Sequence, residues 1–304
     1  MTPEERARAV AAAISMATAE GLKVDDAVVL QDSNRIVLRL RPCDVVARVA
    51  PAAHQQGAAF ELEVARQLAA AGAPVAGPEP RVAPRVYSHD GFAVTFWKYH
   101  EQAGPRRVAR PDLAPQEYAE ALERLHAGMR QVDIAAPHFT DRVAEAQALV
   151  DDPSLTPSLV DADRLVLSGA LRSLRRTIVD RSATDQLLHG EPHAGNLLRT
   201  AEGLLFTDLE TCCTGPVEFD IAHCSRLNAD DGAPWSVDAA TPWDVSAMYA
   251  GADEGLVRAC WVLMLAMVAA WRWDANDQFP DGRRMGMEYL AAVRAAVDRF
   301  GLDS

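Results

Sequence analysis

The chain has 304 residues, of which 49% are hydrophobic, and its 43 acidic residues outnumber 30 lysines and arginines to give a net charge of −13. Nucleic acids and anionic membranes bind basic surfaces, so the charge argues against both as partners. Because single cores usually divide beyond about 250 residues, the length favours a two-lobed protein.

The N-terminal region is predicted to form a helix followed by a small sheet. The helix begins with a capping box, in which Thr2 precedes Glu5, and it ends at Gly21, as expected for a surface helix rather than a signal peptide. Three runs rich in Val, Ile and Leu, separated by turns, then predict strands at 27–30, 35–40 and 44–50.

A helix and a further strand follow. Apolar residues at helical spacing predict a helix over 56–71, which Gly72 closes. An aromatic-rich run at 92–100 predicts a strand, and residues 101–107, which include Gly104, Pro105 and two arginines, indicate a linker into a second lobe.

The second lobe is predicted to be mostly helical. His126, in the first of its helices, is predicted to be a core or loop-bracing histidine. The apolar run at 261–270 is shorter than the roughly 20 residues that cross a bilayer, so it predicts a buried helix. The predicted helices span 116–129, 139–150, 161–181, 254–273 and 284–299.

The most informative segment lies between these helices. Glu191 follows His189 by two residues, Asn196 comes five residues later, and Asp208 follows a hairpin predicted from strands at 197–199 and 204–207. This spacing repeats the protein-kinase catalytic loop, H-R-D-x-x-x-x-N, and its later metal-binding Asp, except that Glu191 stands where that signature has Asp.

The residue types in this segment fit phosphoryl transfer, which needs the phosphates and the attacking hydroxyl held in line while charge is neutralised. Mg²⁺ prefers oxygen ligands, and Asn196 and Asp208 can supply them, with Glu210 as a third. The alternatives for this segment are an ordinary hairpin with polar residues at its base and a zinc site. Gly190 and Pro192 are incompatible with the helical H-E-x-x-H zinc motif.

At this point the sequence resembles the aminoglycoside phosphotransferase and choline kinase group of small-molecule kinases. That family carries H-G-D-x-x-x-x-N, then I-D-W/F-E, then G-x-P/V-x-x-D-L-A, and the matching segments here are 189–196, 207–210 and 215–222. The resemblance implies an α+β, protein-kinase-like fold with a β-rich nucleotide-binding lobe at 1–100 and a mostly helical catalytic and substrate lobe at 101–304.

The resemblance also implies roles for individual residues. Glu191 would be the catalytic base, with His189 and Asp220 as structural support of its loop. Arg48 would replace the strand lysine that grips the phosphates, and Glu61 would be its partner; a solvated surface position is the alternative for each. ATP would also contact the turn residues Ser33 and Asn34 and the hinge residues Trp97, Lys98 and Tyr99, although strand aromatics are often simply core.

The implied function is ATP- and Mg²⁺-dependent transfer of a phosphoryl group to a hydroxyl of a small molecule. An excess of acidic residues over 230–281 would suit a cationic acceptor such as an aminoglycoside, or is an acidic solvated surface. The alternative function is a nucleotide-binding pseudokinase, because Glu191 replaces Asp. Five cysteines, two of them adjacent, match no disulfide or zinc spacing and favour the cytoplasm. The oligomeric state is left open.

Overall fold

The computed structural model describes residues 1–33, 35–101, 114–182, 184–224 and 242–300. Contacts divide the chain into two compact units. The first comprises Met1–Val108, Ala127–Ile134 and Asn196–Cys212, and the second comprises Ala109–His126, Ala135–Gly195 and Cys213–Ser304. Several residues singled out from the sequence lie outside the described residues: Asn34, Arg106, Arg107, Asp230, Asp231 and Asp238.

The first unit is built on a five-stranded antiparallel sheet with the strand order β1-β2-β3-β5-β4. Alternate residues of β2 and β3 are buried, so each strand turns one face to a core. That core includes Ala9, Ala12, Ala13 and Ala17 of the N-terminal helix α1, whose small side chains allow close packing on the sheet. The bounds are α1 Pro3–Ala19, β1 Val24–Asp32, β2 Ile36–Pro42, β3 Val45–Pro51, β4 Tyr87–His89 and β5 Phe92–Lys98.

A helix and a hairpin complete this unit. Helix α2 is Gln55–Ala70, and the hairpin strands are β7 (Leu197–Thr200) and β8 (Gly203–Phe206). The Phe206 N–H donates to the carbonyl of Pro74 at 2.8 Å, and the Ala76 N–H donates to the carbonyl of Phe206 at 2.9 Å. These bonds explain why residues 196–212 belong to the first unit although they lie between helical segments of the second unit in sequence. The predicted boundary between the two lobes, near residue 100, stays a prediction.

The second unit is mainly helical. Its core gathers apolar faces of the long helices α4, α5, α8 and α9, together with Leu188, Cys213 and Phe219. A two-stranded antiparallel ladder pairs β6 with β9, so that Leu188 lies opposite Cys213. The bounds are α3 Pro115–Met129, which ends in the first unit, α4 Phe139–Asp151, α5 Asp161–Arg181, β6 Gln186–Leu188, β9 Cys213–Gly215, α6 Val217–His223, α7 Pro242–Met248, α8 Glu254–Trp273 and α9 Gly282–Phe300.

Helix α8 is long enough and apolar enough to cross a membrane, judged by its length and composition alone. Buried residues make up 78% of its most apolar window, however, which is how the core helix of a globular unit behaves. The prediction of a buried helix at this position is confirmed.

Candidate active site

A buried glutamate organises the site in the first unit. Glu61 lies on α2, and its side chain is 2% exposed. It accepts hydrogen bonds from the guanidinium groups of Arg48 and Arg35, the latter at 3.1 Å, and from the backbone N–H of Leu209 at 3.2 Å. A carboxylate this deeply buried is costly unless it is paired and hydrogen-bonded, and these contacts supply both. The solvated-surface alternatives for Arg48 and Glu61 are thereby excluded.

The position of Arg48 follows from strand register. Val45, Ala47 and Val49 of β3 are fully buried, so Arg48 projects from the opposite face. It lies directly across from Thr95 of β5. Its guanidinium carbon is 4.5 Å from the centre of the Trp97 ring, and the Trp97 Nε1–H donates to the Thr95 hydroxyl at 2.8 Å. Trp97 therefore supports Arg48 through a cation–π contact.

Arg35 is a second cation at this site, and the sequence analysis missed it. It lies at the end of the turn between β1 and β2, and its side chain is 17% exposed. Besides Glu61, its guanidinium contacts Asp208 and, at 2.9 Å, Glu210. Burial lowers the pKa of Arg35, but the three carboxylates outweigh that effect and raise it, so the guanidinium stays charged.

The carboxylates around Arg35 have the chemistry of a Mg²⁺ site. Ligand oxygens of Glu61, Asp208 and Glu210 all lie within 4.8 Å of one another, and hard oxygen donors are what Mg²⁺ prefers. Burial, and then the neighbouring Asp208 and Glu61, raise the pKa of Glu210 above its usual value despite Arg35. The residues present therefore fit a divalent cation, which would relieve this crowding of negative charge.

Asp208 has an unusual backbone. Its φ of 68° and ψ of 56° lie in the left-handed region, which a non-glycine residue adopts at a cost of roughly 1–2 kcal/mol. The hairpin ends next to it: the Thr207 N–H donates to the carbonyl of Asn196 at 2.9 Å, and the Asn196 side chain is largely buried. The predicted metal ligands Asn196 and Asp208 are thus carried at the two ends of one hairpin.

The other predicted nucleotide contacts are less uniform. The Lys98 N–H donates to the carbonyl of Gly77 at 3.1 Å, and the Lys98 side chain is exposed. The ring of Tyr99 lies 3.9 Å from the Arg39 guanidinium. The Ser33 N–H donates to the Arg35 carbonyl at 3.1 Å, so the turn itself uses this donor. The nucleotide-binding roles of these residues stay predictions.

In the second unit, a buried aspartate holds the start of the loop that contains Glu191. Asp220, on α6, accepts hydrogen bonds at 2.8 Å from the backbone N–H groups of His189 and Gly190, and lies 2.9 Å from His126 Nε2. Gly190 has a φ of +86°, which a side chain would strain. Burial would raise the pKa of Asp220, but the His126 hydrogen bond and the other contacts lower it. The loop-bracing prediction for His126 is confirmed.

Glu191 has a partner that the sequence analysis also missed. Arg142 of α4 donates to the Glu191 carboxylate at 2.6 Å, and both side chains are 18% exposed. The Arg142 guanidinium carbon lies 5.2 Å from the centre of the Trp271 ring. The carboxylate at the predicted base position is thus oriented and charge-neutralised by an arginine.

The chain is similar to known proteins in sequence and in structure. The model of the phosphotransferase enzyme family matches residues 26–254. Stress response kinase A of Escherichia coli K12 is 27% identical over 230 residues, covering 72% of this chain and 68% of that protein.

Solved structures are similar over nearly the full length. A choline/ethanolamine kinase family protein from Mesorhizobium loti has a TM-score of 0.67 at 20% identity, covering 98% of this chain and 96% of its own. Amicoumacin kinase, solved in complex with AMP-PNP, Ca²⁺ and Ami, has a TM-score of 0.70 at 14% identity, covering 97% of this chain and 96% of its own. The predicted family and the predicted protein-kinase-like α+β fold are confirmed.

Arg48→Ala should weaken binding of ATP at least 10-fold while adenosine affinity stays nearly unchanged, because the guanidinium would contact phosphates rather than base or ribose. Isothermal titration with ATP and adenosine measures both affinities. Arg48→Lys should retain most of the ATP affinity, and Arg66→Ala, which removes an exposed ion pair with Glu63 on the same helix as Glu61, serves as the matched control. Equal losses for ATP and adenosine would show that Arg48 is purely structural.

Asp220→Asn should lower the free energy of unfolding by about 3 kcal/mol, because an amide has one acceptor oxygen and leaves a buried N–H of the loop without a partner. Urea denaturation measures the change. Asp298→Asn, an exposed carboxylate on α9, is the control and should change stability little. A loss below about 0.5 kcal/mol for Asp220→Asn would contradict a bracing role for this carboxylate.

Proposed function

This chain belongs to the phosphotransferase enzyme family, and we propose that it transfers the γ-phosphoryl group of ATP to a hydroxyl of a small molecule. The observation that carries the proposal is the joint presence of the Arg48–Glu61 pair and the Asp208 carboxylate in one cluster. A strand cation paired with a helix glutamate, together with a metal-binding aspartate, is what phosphoryl transfer by kinases requires.

In this proposal the first unit binds the nucleotide. Arg48 contacts the ATP phosphates as a planar donor that is fixed by Glu61 and Trp97. Ser33 and Asn34, which directly precede Arg35 in the sequence, are proposed to contact the phosphates, and the segment Trp97, Lys98 and Tyr99 would receive the adenine. Trp97 is 3% exposed and packs on Arg48, so we assign it support of the phosphate grip rather than direct stacking on the base.

Asn196 and Asp208 would hold Mg²⁺, with Glu210 as a third oxygen donor. The bound ion supplies neutralisation of phosphate charge during transfer. The protein's own contribution is to fix the ligands: the left-handed backbone at Asp208 and the paired hairpin ends set their directions before any ligand binds. That a similar kinase was solved with AMP-PNP and Ca²⁺ supports a nucleotide and a divalent cation here.

Glu191 would orient the acceptor hydroxyl and take its proton, while His189 and Asp220 hold the loop. Phosphoryl transfer passes through a loose transition state in which the attacking oxygen carries little bond formation, so orientation matters more than high basicity. A glutamate paired with Arg142 meets that need. The same pairing favours the second candidate function, a pseudokinase, because a neutralised carboxylate is a weaker proton acceptor.

The proposed acceptor is a hydroxyl compound, and the proposal assigns it no particular charge. Of the carboxylates counted over 230–281, four already pair with arginines: Asp253 with Arg181, Glu254 with Arg258, Asp277 with Arg272 and Asp281 with Arg284. Acids that are neutralised in this way offer little attraction to a polycation. An aminoglycoside-like acceptor therefore rests on family membership alone, and aminoglycosides, amino alcohols and neutral sugars belong in one acceptor screen.

We further propose a cytoplasmic location without nucleic-acid or membrane partners. All five cysteines are free thiols, and Cys212, Cys213, Cys224 and Cys260 are buried, which is typical of proteins kept in a reducing compartment.

Asp208→Asn and Asn196→Ala should each weaken Mg²⁺-dependent ATP binding at least 10-fold, because the first replaces a charged carboxylate oxygen with a neutral amide oxygen and the second removes the ligand oxygen. Asparagine tolerates the left-handed backbone at 208, so this change separates charge from conformation. Titration with ATP in the presence and absence of Mg²⁺ measures the effect. Glu202→Ala, an exposed carboxylate at the tip of the same hairpin, should bind normally. Unchanged Mg·ATP affinity in both site variants would refute the metal assignment.

Glu191→Gln should lower phosphoryl transfer by about 10²-fold or more, the scale of general-base and orienting groups, with little change in ATP affinity. Glutamine keeps the size and removes the charge. Glu191→Asp should also lose activity, because its carboxylate is retracted by one methylene and falls short of Arg142. Steady-state kinetics on an acceptor found in the screen measures both variants.

Arg142→Ala provides the internal check on Glu191. If Arg142 acts only by holding Glu191, its removal should lower kcat in the wild type and have little further effect in the Glu191→Gln background. Arg176→Ala, an exposed arginine on α5, is the control.

If the wild type transfers phosphate to no hydroxyl acceptor while Glu191→Asp does, the protein is a pseudokinase and the proposed enzyme function fails.

A further inference from the structure

Without Arg35, the three carboxylates of the cluster around Glu61 would face a single guanidinium group. Three carboxylates, Glu61, Asp208 and Glu210, converge within 4.8 Å, and two guanidinium groups face them. Arg48 contacts only Glu61 among the three, whereas Arg35 contacts all of them. Of these two guanidinium groups, Arg35 is therefore the one that pairs with the two carboxylates assigned to the metal.

The two arginines are held differently. Arg48 lies in the middle of a central strand, with β2 on one side and β5 on the other, and Trp97 packs on its guanidinium. Arg35 lies just before β2 begins, beside the turn of an edge hairpin whose closing bond is the Ser33 N–H to the Arg35 carbonyl. Arg48 thus has neighbouring strands on both sides, whereas Arg35 lies at the end of an edge hairpin and its guanidinium contacts the three carboxylates.

The turn before Arg35 also lacks a feature that phosphate-binding turns commonly have. Residues 31–34 are Gln, Asp, Ser and Asn, so no glycine allows the backbone to approach a phosphate closely. A guanidinium at the end of that turn can supply the missing donors, because its planar fork binds phosphate oxygens in a bidentate manner.

We propose that Arg35 is a second phosphate-binding residue of this chain, and that it occupies the metal-binding carboxylates until Mg·ATP binds and then moves to the triphosphate. The inference rests on the proposed function. Its physical basis is competition: the Asp208 and Glu210 carboxylates that contact the guanidinium are those that would ligate Mg²⁺, and a metal ion bound there would repel the guanidinium. The arriving triphosphate provides the anionic partner that Arg35 needs when it leaves.

The proposal predicts opposite effects of one substitution on two ligands. Arg35→Ala should tighten binding of Mg²⁺ alone by about 5-fold or more, because the carboxylates are no longer occupied. The same variant should weaken binding of Mg·ATP by about 10-fold or more, because the triphosphate loses a bidentate donor, while adenosine affinity stays unchanged. Isothermal titration of the nucleotide-free protein with MgCl₂, and then with Mg·ATP and adenosine, measures all three.

Two variants keep the experiment decisive. Arg66→Ala, which removes an exposed arginine from α2 and leaves the carboxylate cluster intact, should match the wild type for every ligand. Arg35→Lys keeps the charge but loses the bidentate fork, so both effects should appear in the same directions and at smaller size. This variant also decides the matter if Arg35→Ala does not fold, which thermal unfolding would reveal.

Any other pattern overturns the proposal. Unchanged affinities in the Arg35 variants would make the arginine an ordinary ion-pair partner, weaker Mg²⁺ binding would show that it builds the metal site, and unchanged Mg·ATP affinity would remove its phosphate role. If the wild type itself binds no Mg·ATP, the proposed function fails together with this inference. If the wild type binds and the Arg35 variants match it, only this inference fails.

Discussion

The first unit depends on keeping one buried carboxylate charged. Glu61 is 2% exposed, and an ionised carboxylate at that depth is tolerated only with close cationic partners and hydrogen bonds. Satisfying it fixes the central strand through Arg48, the β1–β2 turn through Arg35 and the segment after the hairpin through the Leu209 N–H. Three parts of the chain, of which the last lies 148 residues beyond Glu61, are thus brought to one point by the same carboxylate, and this point is where phosphates and a metal ion would be bound.

The second unit solves a similar problem with Asp220. Its carboxylate is fully buried, and it accepts hydrogen bonds from two consecutive backbone N–H groups at the end of β6. His126 contacts the same carboxylate and reaches the Tyr249 hydroxyl at 2.8 Å with its other nitrogen. The loop that follows contains glycine and proline and cannot form a helix, so it needs such an anchor to hold one conformation. Rigidity at the base of the loop leaves Glu191, two residues further on, with a defined direction.

Most of the fold could be predicted from the sequence, and the reasons for the exceptions are physical. The long helices other than α8, and strands β2 and β3, bury one face, so apolar periodicity locates them to within about three residues. Helix α8 and strand β5 are buried on both faces and are indicated by continuous apolar or aromatic runs. The short elements β4, β9, α6 and α7 have at most seven residues each, too few for a period to be recognised. Arg35 and Arg142 were missed because their partners lie 173 and 49 residues away, so that no local spacing reveals the pairing.

The substitution of Glu for Asp at position 191 is best understood together with Arg142. A glutamate is longer than an aspartate by one carbon–carbon bond, about 1.5 Å. At the observed separation of 2.6 Å, the Glu191 carboxylate is held by the guanidinium, and an aspartate on the same backbone would not reach it. The longer side chain therefore has a structural reason in this chain. Because the transition state of phosphoryl transfer asks the base mainly to orient the acceptor, a carboxylate that is aimed by an arginine can serve where a freer aspartate usually does. If the protein acts as the proposed kinase, the departure from the family pattern is a different way of positioning the same charge, and activity depends on how well Arg142 aims it.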